Sequence, residues 1–527
     1  MRPPCDEAVI LSGPPAVTCL PKEAPWILAA TILGSSMAFI DSTAVNVALP
    51  ALQTSFGATI VDIQWVIESY ALFLGALILT GGSMGDRFGR RRMFLIGVAT
   101  FAVASASCGF SLSVRQLVFA RAVQGVGAAL FVPASLSIIS ASFNEKERGR
   151  AIGTWSGFTA ITTALGPILG GWLIEHASWR WVFFINVPIA VAVIALSLWR
   201  VPESKMESPG RMDWTGALIV TAGLAGVTYG FTESAAARWS NAAVWGTLVL
   251  GAVCLIAFCY VEAHSRAPMI PPMLFRSRDF TGANLITLLL YGALGVFFFL
   301  FPLNLIQVQH YSTTATGAAA LPLILLVFFL SRWSGGLVAR YGAKLPLIIG
   351  PIIAAAGFLG FALPSVGGSY WTTFFPGFVM LGLGMAVTVA PLTTVVMDAV
   401  DQNNAGTASG VNNAVARVAG LLAIAILGIV ILGAFSHRIN ENPGTLHLPP
   451  EVRRSVQSGE IALAALPIPR DTDPSAAGAL RALINRSFVF GFRLIMLICA
   501  TLAIVSAAVA WRMIAQKTKR LEHPSGA

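Results

Sequence analysis

The run AAVWGTLVLGAVCLIAFCYV, residues 242–261, carries no charged side chain from end to end. A chain segment of about 18 or more apolar residues is long enough to cross the hydrocarbon of a bilayer as a helix. Inside a bilayer, every backbone N–H and C=O must be satisfied within the segment, so such runs fold as helices. Runs of this kind recur at about 26–48, 63–84, 93–111, 115–138, 149–173, 180–199, 213–232, 242–262, 280–305, 317–338, 345–364, 371–397, 405–435 and 486–511. Fourteen segments imply an all-α polytopic membrane protein. Composition agrees: 11% of residues are charged, against about 25% in ordinary soluble chains.

Lys and Arg fall unevenly between the segments. One side holds Arg2, Lys22, DRFGRRR, EKERGR, Arg200, Lys205, Arg211, Arg266, Arg276, Arg278, Arg340, Lys344 and the tail RMIAQKTKR. The short loops of the other side hold Arg115, Arg180 and Arg238. Because cytoplasmic loops concentrate Lys and Arg, both termini are expected in the cytoplasm. That expectation requires an even number of helices, as found. The net charge of +10 then reflects topology, and no nucleic-acid partner is expected. The N-terminus, MRPPCDEAVILSG, lacks a basic run followed by a short apolar core and does not read as a cleaved signal. The six cysteines form no CxxC or His/Cys cluster, so neither a disulfide framework nor a metal site is expected. No Walker loop appears, which argues against ATP as the driving force, and no cofactor is implied.

The chain repeats itself internally. GGSMGDRFGRRR follows the second segment and GGLVARYGAK follows the tenth. Aligning Gly82 with Gly335 gives an offset of 253 residues. Segments 1–6 and 9–14 then form two six-helix halves, with segments 7 and 8 additional. The implied domains are a cytoplasmic stretch 1–25, a first bundle 26–200, two extra helices with linkers 201–279, a second bundle 280–511 and a cytoplasmic tail 512–527. An external loop, 436–485, interrupts the second bundle. Its stretch PPEVRRSVQSGEIALAALP suits a short amphipathic helix capping the outer mouth or touching a periplasmic partner, or else a tolerated loop.

Three ionisable residues lie within the first four segments. At about 1.5 Å per residue, Asp41 is roughly 9 Å inside Val47, Glu68 roughly 8 Å inside Ile63, and Arg121 roughly 9 Å inside Arg115. Ionisable groups at such depth are costly and mark function by default. Burial raises a carboxylic acid's pKa and a nearby Arg lowers it, so a buried pair can be poised to take up and release a proton. Asp41 is therefore expected to carry a coupling proton and Arg121 to tune it. Glu68 is a second proton site or a contact for a cationic substrate. A static structural pair is the alternative.

The offset places Leu294 and Leu321 where Asp41 and Glu68 stood. Segments 9–14 contain no Glu, and Asp398 is their only Asp. Proton chemistry is thus expected in the first half alone. GVFFFLFPL and LVFFL supply aromatic material for the core, the lipid face or a pocket. Arg332, Arg417 and Arg493 are the charges expected to be buried within these segments. Each either pairs with a carbonyl or polar neighbour or receives an anionic substrate.

The loop DAVDQNN lies on the basic side but carries two acids. Gly82, Asp86, Arg87, Gly89 and Arg90 form the basic loop of the same side. Asp86 is expected at the N-terminus of the thirteenth helix, where the dipole favours an anion. Arg87 or Arg90 is expected to pair with Asp398 or Asp401 as an inner latch. Ala339 replaces the Asp in the second copy, so the corresponding latch is weaker.

GGSMGDRFGRRRMF resembles the cytoplasmic loop motif of the major facilitator superfamily. LVFARAVQGVGAA resembles its helix-4 motif, with Arg121, Gln124, Gly125 and Gly127 in register. ALGPILGG resembles the antiporter motif of helix 5, with Gly166, Pro167, Gly170 and Gly171, although Thr162 stands where that pattern often has another Gly. IDSTAVNVALP and WRWVFFINVPIA are similar to signatures of the fourteen-helix drug:proton antiporter branch, the EmrB/QacA type. The resemblance implies a major facilitator fold of two six-helix bundles plus two additional helices. It also implies a proton-coupled exporter of hydrophobic compounds, cations among them, in a bacterial cytoplasmic (inner) membrane. A monomer is expected, with a periplasmic adaptor and outer-membrane channel as candidate partners in a Gram-negative host. A narrow exporter of one metabolite, siderophore or antibiotic shares every motif, an importer fits ALGPILGG poorly, and a receptor or enzyme lacks a catalytic constellation.

Overall fold

The computed structural model describes residues 23–143, 145–206, 212–237, 241–265, 268–400, 405–441, 463–466, 468 and 474–515. Its described residues contain fourteen helices long and apolar enough to span a membrane. They are α1 (Ala24–Phe56), α2 (Ile60–Phe88), α3 (Arg90–Gly109), α4 (Val114–Ser142), α5 (Glu145–His176), α6 (Asn186–Arg200) and α7 (Trp214–Ala237). They continue as α8 (Ala242–His264), α9 (Arg278–Leu303), α10 (Leu321–Tyr341), α11 (Lys344–Ala362), α12 (Phe375–Asp398), α13 (Ala405–Asn440) and α14 (Pro474–Met513). Single-turn helices at Trp181–Phe184 and Tyr370–Thr373 lead into α6 and α12, and a short helix at Thr313–Ala319 leads into α10.

Local chemistry sets several boundaries. Pro25 sits in the first turn of α1, where its missing N–H costs nothing. Gly57 ends that helix at φ 60°, the left-handed geometry that glycine adopts most easily. Two residues later Thr59 and Asp62 close a reciprocal capping box that starts α2: Asp62 N–H donates to Thr59 Oγ1 at 3.2 Å, and Thr59 N–H donates to Asp62 Oδ2 at 2.9 Å. The 253-residue offset carries Ala24 to 277, Ile60 to 313 and Arg90 to 343. The structure starts helices at Arg278, Thr313 and Lys344.

In the first bundle α4 packs on α2 and α3, while α1 packs on α5 and α6. In the second, α12 packs on α10 and α11, and α9 on α13 and α14. Lipid tails are as apolar as leucine, so close backbone approach replaces hydrophobic expulsion as the source of packing energy. A Cβ on Gly97 of α3 would stand 2.8 Å from the Gly127 carbonyl of α4. The α7–α8 pair lies to one side: α7 packs on both α2 and α13 and so covers the seam between them.

The two ends of the molecule differ. Toward the Gly57 end a single apolar core joins both halves, with Leu49, Leu52 and Val66 sharing it with Phe297, Leu300 and Ile431. Toward the Gly89 end there are two cores. One holds Phe94, Val98 and Phe131 of the first half, and the other holds Ile286, Leu347 and Val396 of the second. The halves are therefore joined at the Gly57 end and separate at the other, apart from the α2–α13 seam.

Phe297, Phe301, Phe361 and Phe378 form one aromatic cluster with centroid separations of 4.7–5.9 Å. That part of GVFFFLFPL is core. Phe328 and Phe329 of LVFFL are exposed. α14 begins at Pro474, twelve residues before the apolar run at 486. Its polar first turns pack through Leu480 and Ile484, and Arg481 donates to the Ala464 carbonyl at 3.2 Å. The amphipathic helix expected over PPEVRRSVQSGEIALAALP lies mostly outside the described residues.

Candidate functional site

Asp41 of α1 and Arg121 of α4 meet in the interior of the first bundle, 0% and 1% exposed. Arg121 Nη1 donates to Asp41 Oδ2 at 2.5 Å. The same guanidinium donates to Gln124 Oε1 at 2.8 Å and, through Nε, to the Val66 carbonyl at 3.2 Å. Asp41 Oδ1 accepts from Gln124 Nε2 at 2.9 Å and from Asn186 Nδ2 at 3.2 Å. Asn186 also donates to Ser105 Oγ at 3.0 Å, and Ser105 donates to the Phe183 carbonyl at 2.8 Å. The Tyr70 ring covers the guanidinium, with its centroid 4.2 Å from Arg121 Cζ.

Five helices thus converge on one carboxylate. A buried ion pair is favourable only when its remaining donors and acceptors are met. Here three donors reach the carboxylate, and the guanidinium has two acceptors beyond Asp41. Of these groups Asp41 and Arg121 stand out in the sequence as charges in apolar runs. Gln124 and Asn186 are inside the quoted motifs but carry no charge to flag them, and Ser105 and Tyr70 leave no signal at all.

Glu68 does not join the pair. It stands two positions from Tyr70, roughly 200° around the helix, so it faces the opposite side of α2. There Thr232 of α7 donates to Glu68 Oε2 at 2.8 Å, while Oε1 is buried without a partner. One turn away Trp65 Nε1 donates to Glu233 Oε1 at 3.0 Å. Depth counted along a helix carries no information about azimuth. The result is one cluster inside the bundle and a separate acid at the α2–α7 contact.

The glycines of α5 fit against α1 beside Asp41. A Cβ on Gly166 would lie 2.0 Å from Thr43 Oγ1, and one on Gly170 would lie 2.8 Å from Ala44 Cβ. The neighbouring face of α5 meets the second half: a Cβ on Gly171 would lie 2.3 Å from the Thr313 carbonyl, and one on Gly317 would lie 2.1 Å from the Pro167 carbonyl. Thr313 Oγ1 donates to the Gly171 carbonyl at 2.8 Å, Thr314 Oγ1 to Glu175 Oε2 at 2.5 Å, and Gln307 Nε2 to Gln53 Oε1 at 2.8 Å. These bonds close the Gly57 end.

At the other end the basic loop is bonded within its own half. Arg90 grips Asp86 Oδ1 through Nε at 2.9 Å and Nη2 at 2.8 Å. Met206 N–H donates to the Asp86 carbonyl and Arg90 N–H to the Ser204 carbonyl, both at 2.9 Å. Glu203 accepts from the Arg91 and Arg92 amides at 3.0 and 3.1 Å. Gly89 turns the chain there at φ 110°, with room for a Cβ only 2.8 Å from the Glu203 carboxylate. Gly82 faces Pro133 of α4. Asp398 is exposed, and among the described residues no ion pair joins it to Arg87 or Arg90. The structure therefore does not bring the expected latch partners together; Asp401 lies outside the described residues.

Among the described residues no group of three or more His, Cys, Asp or Glu is placed to hold a metal ion.

Comparison with known proteins adds an independent line. The family model described as "Major Facilitator Superfamily" matches residues 31–424. The chain is 33% identical over 493 residues to the tetracenomycin C resistance and export protein of Streptomyces glaucescens, covering 92% of this chain and 91% of that one. It is 33% identical over 498 residues to the multidrug resistance protein Stp of Mycobacterium tuberculosis, with the same two coverages. Among solved structures, a bacterial homologue of the human lysosomal transporter Spinster, in an inward-facing and unoccupied conformation, shares the fold. Its TM-score is 0.61 at 17% identity, covering 94% of this chain and 98% of that one.

Proposed function

The chain belongs to the Major Facilitator Superfamily, and we propose that it is a proton-coupled antiporter exporting hydrophobic drugs or natural products across the bacterial cytoplasmic membrane. Similarity to resistance and export proteins supports the export direction. One observation carries the coupling: a fully buried carboxylate, Asp41, shares its environment with one guanidinium and two amides, and its own helix, α1, reaches the second half through Gln53 and Gln307.

With Asp41 ionised, Arg121 is neutralised and the network is closed. A proton arriving on Asp41 cancels that charge, leaves Arg121 with neutral acceptors, and weakens the hold of α4 on α1. α1 is keyed into α5 at Gly166 and Gly170, and α5 is keyed into the second half at Gly171 and Pro167. A shift of α1 at Asp41 is thereby felt at the outer closure about one helical turn away. With the Lys- and Arg-rich side taken as cytoplasmic, the structure is closed outside and divided inside, the state that receives substrate from the cytoplasm. The latch of Asp86, Arg87 and Arg90 with Asp398 and Asp401 belongs to the opposite state, where the basic loop would exchange its present partners for the second half. Glu68 is a second proton site at the α2–α7 contact.

The test is proton-driven exchange in proteoliposomes of the purified protein. An imposed inward proton gradient should drive substrate movement in the wild type and not in Asp41→Asn. Unchanged gradient-driven exchange in that variant would refute the assignment. A narrow exporter is the second reading, since one relative is named for a single antibiotic. A susceptibility panel in an efflux-deficient host separates the two by the number of compounds to which resistance rises.

A further inference from the structure

Asp41, Glu68 and Arg121 all have partners, and Arg493 donates to the Leu363 and Pro364 carbonyls at the end of α11, at 3.0 and 3.1 Å. Arg417 of α13 is different. It is half-buried and makes no hydrogen bond or ion pair to any described residue. Its Cβ lies 3.5 Å from where a side chain on Gly75 would begin. Gly75 is fifteen residues from the start of α2 and thirteen from its end, so Arg417 stands at mid-height on the seam between the halves. Tyr70 lies near enough to feel its charge, and the Tyr70 hydroxyl is buried without a partner among the described residues. The same tyrosine covers Arg121 with its ring. Tyr70 therefore lies near two guanidinium groups from opposite halves, one satisfied and one with no hydrogen-bond or ion-pair partner among the described residues.

An unpaired cation at this depth is costly, and so is a buried hydroxyl without a partner. One acceptor placed between them would satisfy both. A carboxylate or phenolate does this well, because charge-assisted bonds to guanidinium are the strong ones. The next two turns of α13 are apolar, residues 418–424 reading VAGLLAI, while one turn before Arg417 the amides of Asn412 and Asn413 are engaged by Asn284, Thr287 and the Ser409 carbonyl. A multiply charged ligand would find a single cation there.

We propose that Arg417, with the Tyr70 hydroxyl, receives the single acidic group of an otherwise hydrophobic ligand, so that hydrophobic monoanions are a substrate class of this protein. Calling the ligand a substrate rests on the exporter reading above; the binding site does not.

The experiment uses purified full-length protein in phosphatidylcholine nanodiscs, with binding read by energy transfer from tryptophan. The probes are 1-pyrenebutyrate, its methylamide and the corresponding trimethylammonium derivative, at a pH where the acid is ionised. The wild type should bind the acid about ten-fold more tightly than the amide, and the cation no better than the amide. Arg417→Gln should bring the acid-to-amide ratio close to one while leaving the amide's affinity in place. Arg417→Lys and Tyr70→Phe should each retain part of the preference. Absence of acid preference in the wild type, or its full retention in Arg417→Gln, overturns the proposal. Should Arg417→Gln bind no probe at all, full preference in both Arg417→Lys and Tyr70→Phe overturns it. Loss of acid binding when phosphatidylglycerol replaces phosphatidylcholine would identify a lipid headgroup as the occupant and overturn the substrate assignment. Ethidium exchange with proton release, wild type against Asp41→Asn, runs in parallel. Its failure strikes the exporter reading and leaves the binding result standing.

Discussion

Asn186 holds the oxygen of Asp41 that Arg121 does not touch: its amide donates to Oδ1 at 3.2 Å while the guanidinium donates to Oδ2. The carboxylate is thereby fixed from two sides, and its charged form draws support from a neutral neighbour as well as from the cation.

Replacing Asn186 by Leu removes a donor that favours the charged form. A hydrogen bond to a charged group contributes roughly 1.5–3 kcal/mol, so Asn186→Leu should lower the melting temperature in detergent and slow proteoliposome exchange. The loss of stability should shrink when Asp41 is already Asn. An equal loss in both backgrounds would mean that Asn186 serves Ser105 and packing alone.

Removing one member of the buried pair strands the other. Arg121→Gln should cost about 3–5 kcal/mol and show as a lower melting temperature in detergent. Asp41→Asn in the same chain should recover most of that loss without restoring transport. A double variant no more stable than Arg121→Gln would show that the arginine is needed for reasons other than Asp41.

Gly166 and Gly171 should respond differently to repair. A methyl at Gly166 collides first with a side-chain atom, Thr43 Oγ1, while one at Gly171 collides with the Thr313 backbone. Both alanine variants should slow exchange by at least about ten-fold, equivalent to about 1.4 kcal/mol. Thr43→Ala should return part of the rate to Gly166→Ala, because it deletes the clashing oxygen. No side-chain deletion at 313 relieves Gly171→Ala. Equal behaviour of the two would remove the case for α5 as a keyed element.

Glu203 accepts two amides at the start of α3, where a negative charge also meets the helix dipole. Glu203→Gln should destabilise the loop by about 1 kcal/mol, seen as faster hydrogen exchange at Arg91 and Arg92. Gly89→Ala should cost more, since it adds both a strained positive φ and a contact with the same carboxylate.

Much of this was legible from residues alone. The offset of 253 found the helix starts of the second half because backbone lengths are set by bilayer thickness, which both halves share. The apolar run beginning at 486 does not reach the start of α14 at Pro474, where a polar stretch ahead of the run is helical as well. The Asp41–Arg121 pair could be read because each charge is conspicuous among apolar neighbours. Ser105 and Tyr70 could not, since nothing distinguishes them from ordinary helix residues until α2, α3 and α4 are packed. Glu68 shows the limit of depth as a coordinate. Height along an axis follows from counting, whereas azimuth depends on which face each helix turns inward. Sign and side of the membrane are enough to pair Arg90 with Asp398 in the sequence, whereas the structure pairs Arg90 with Asp86, and a sequence does not say which of two alternating states it will display.

α7 is fastened to α2 by two side-chain bonds, Thr232 to Glu68 and Trp65 to Glu233, while the described residues show no hydrogen bond from α7 to α13. If the halves rock against each other, these bonds would carry the added hairpin with the first bundle and let it slide on the second. The two moving bodies would then be unequal, eight helices against six, and the pivot would be displaced from the axis that internal symmetry suggests.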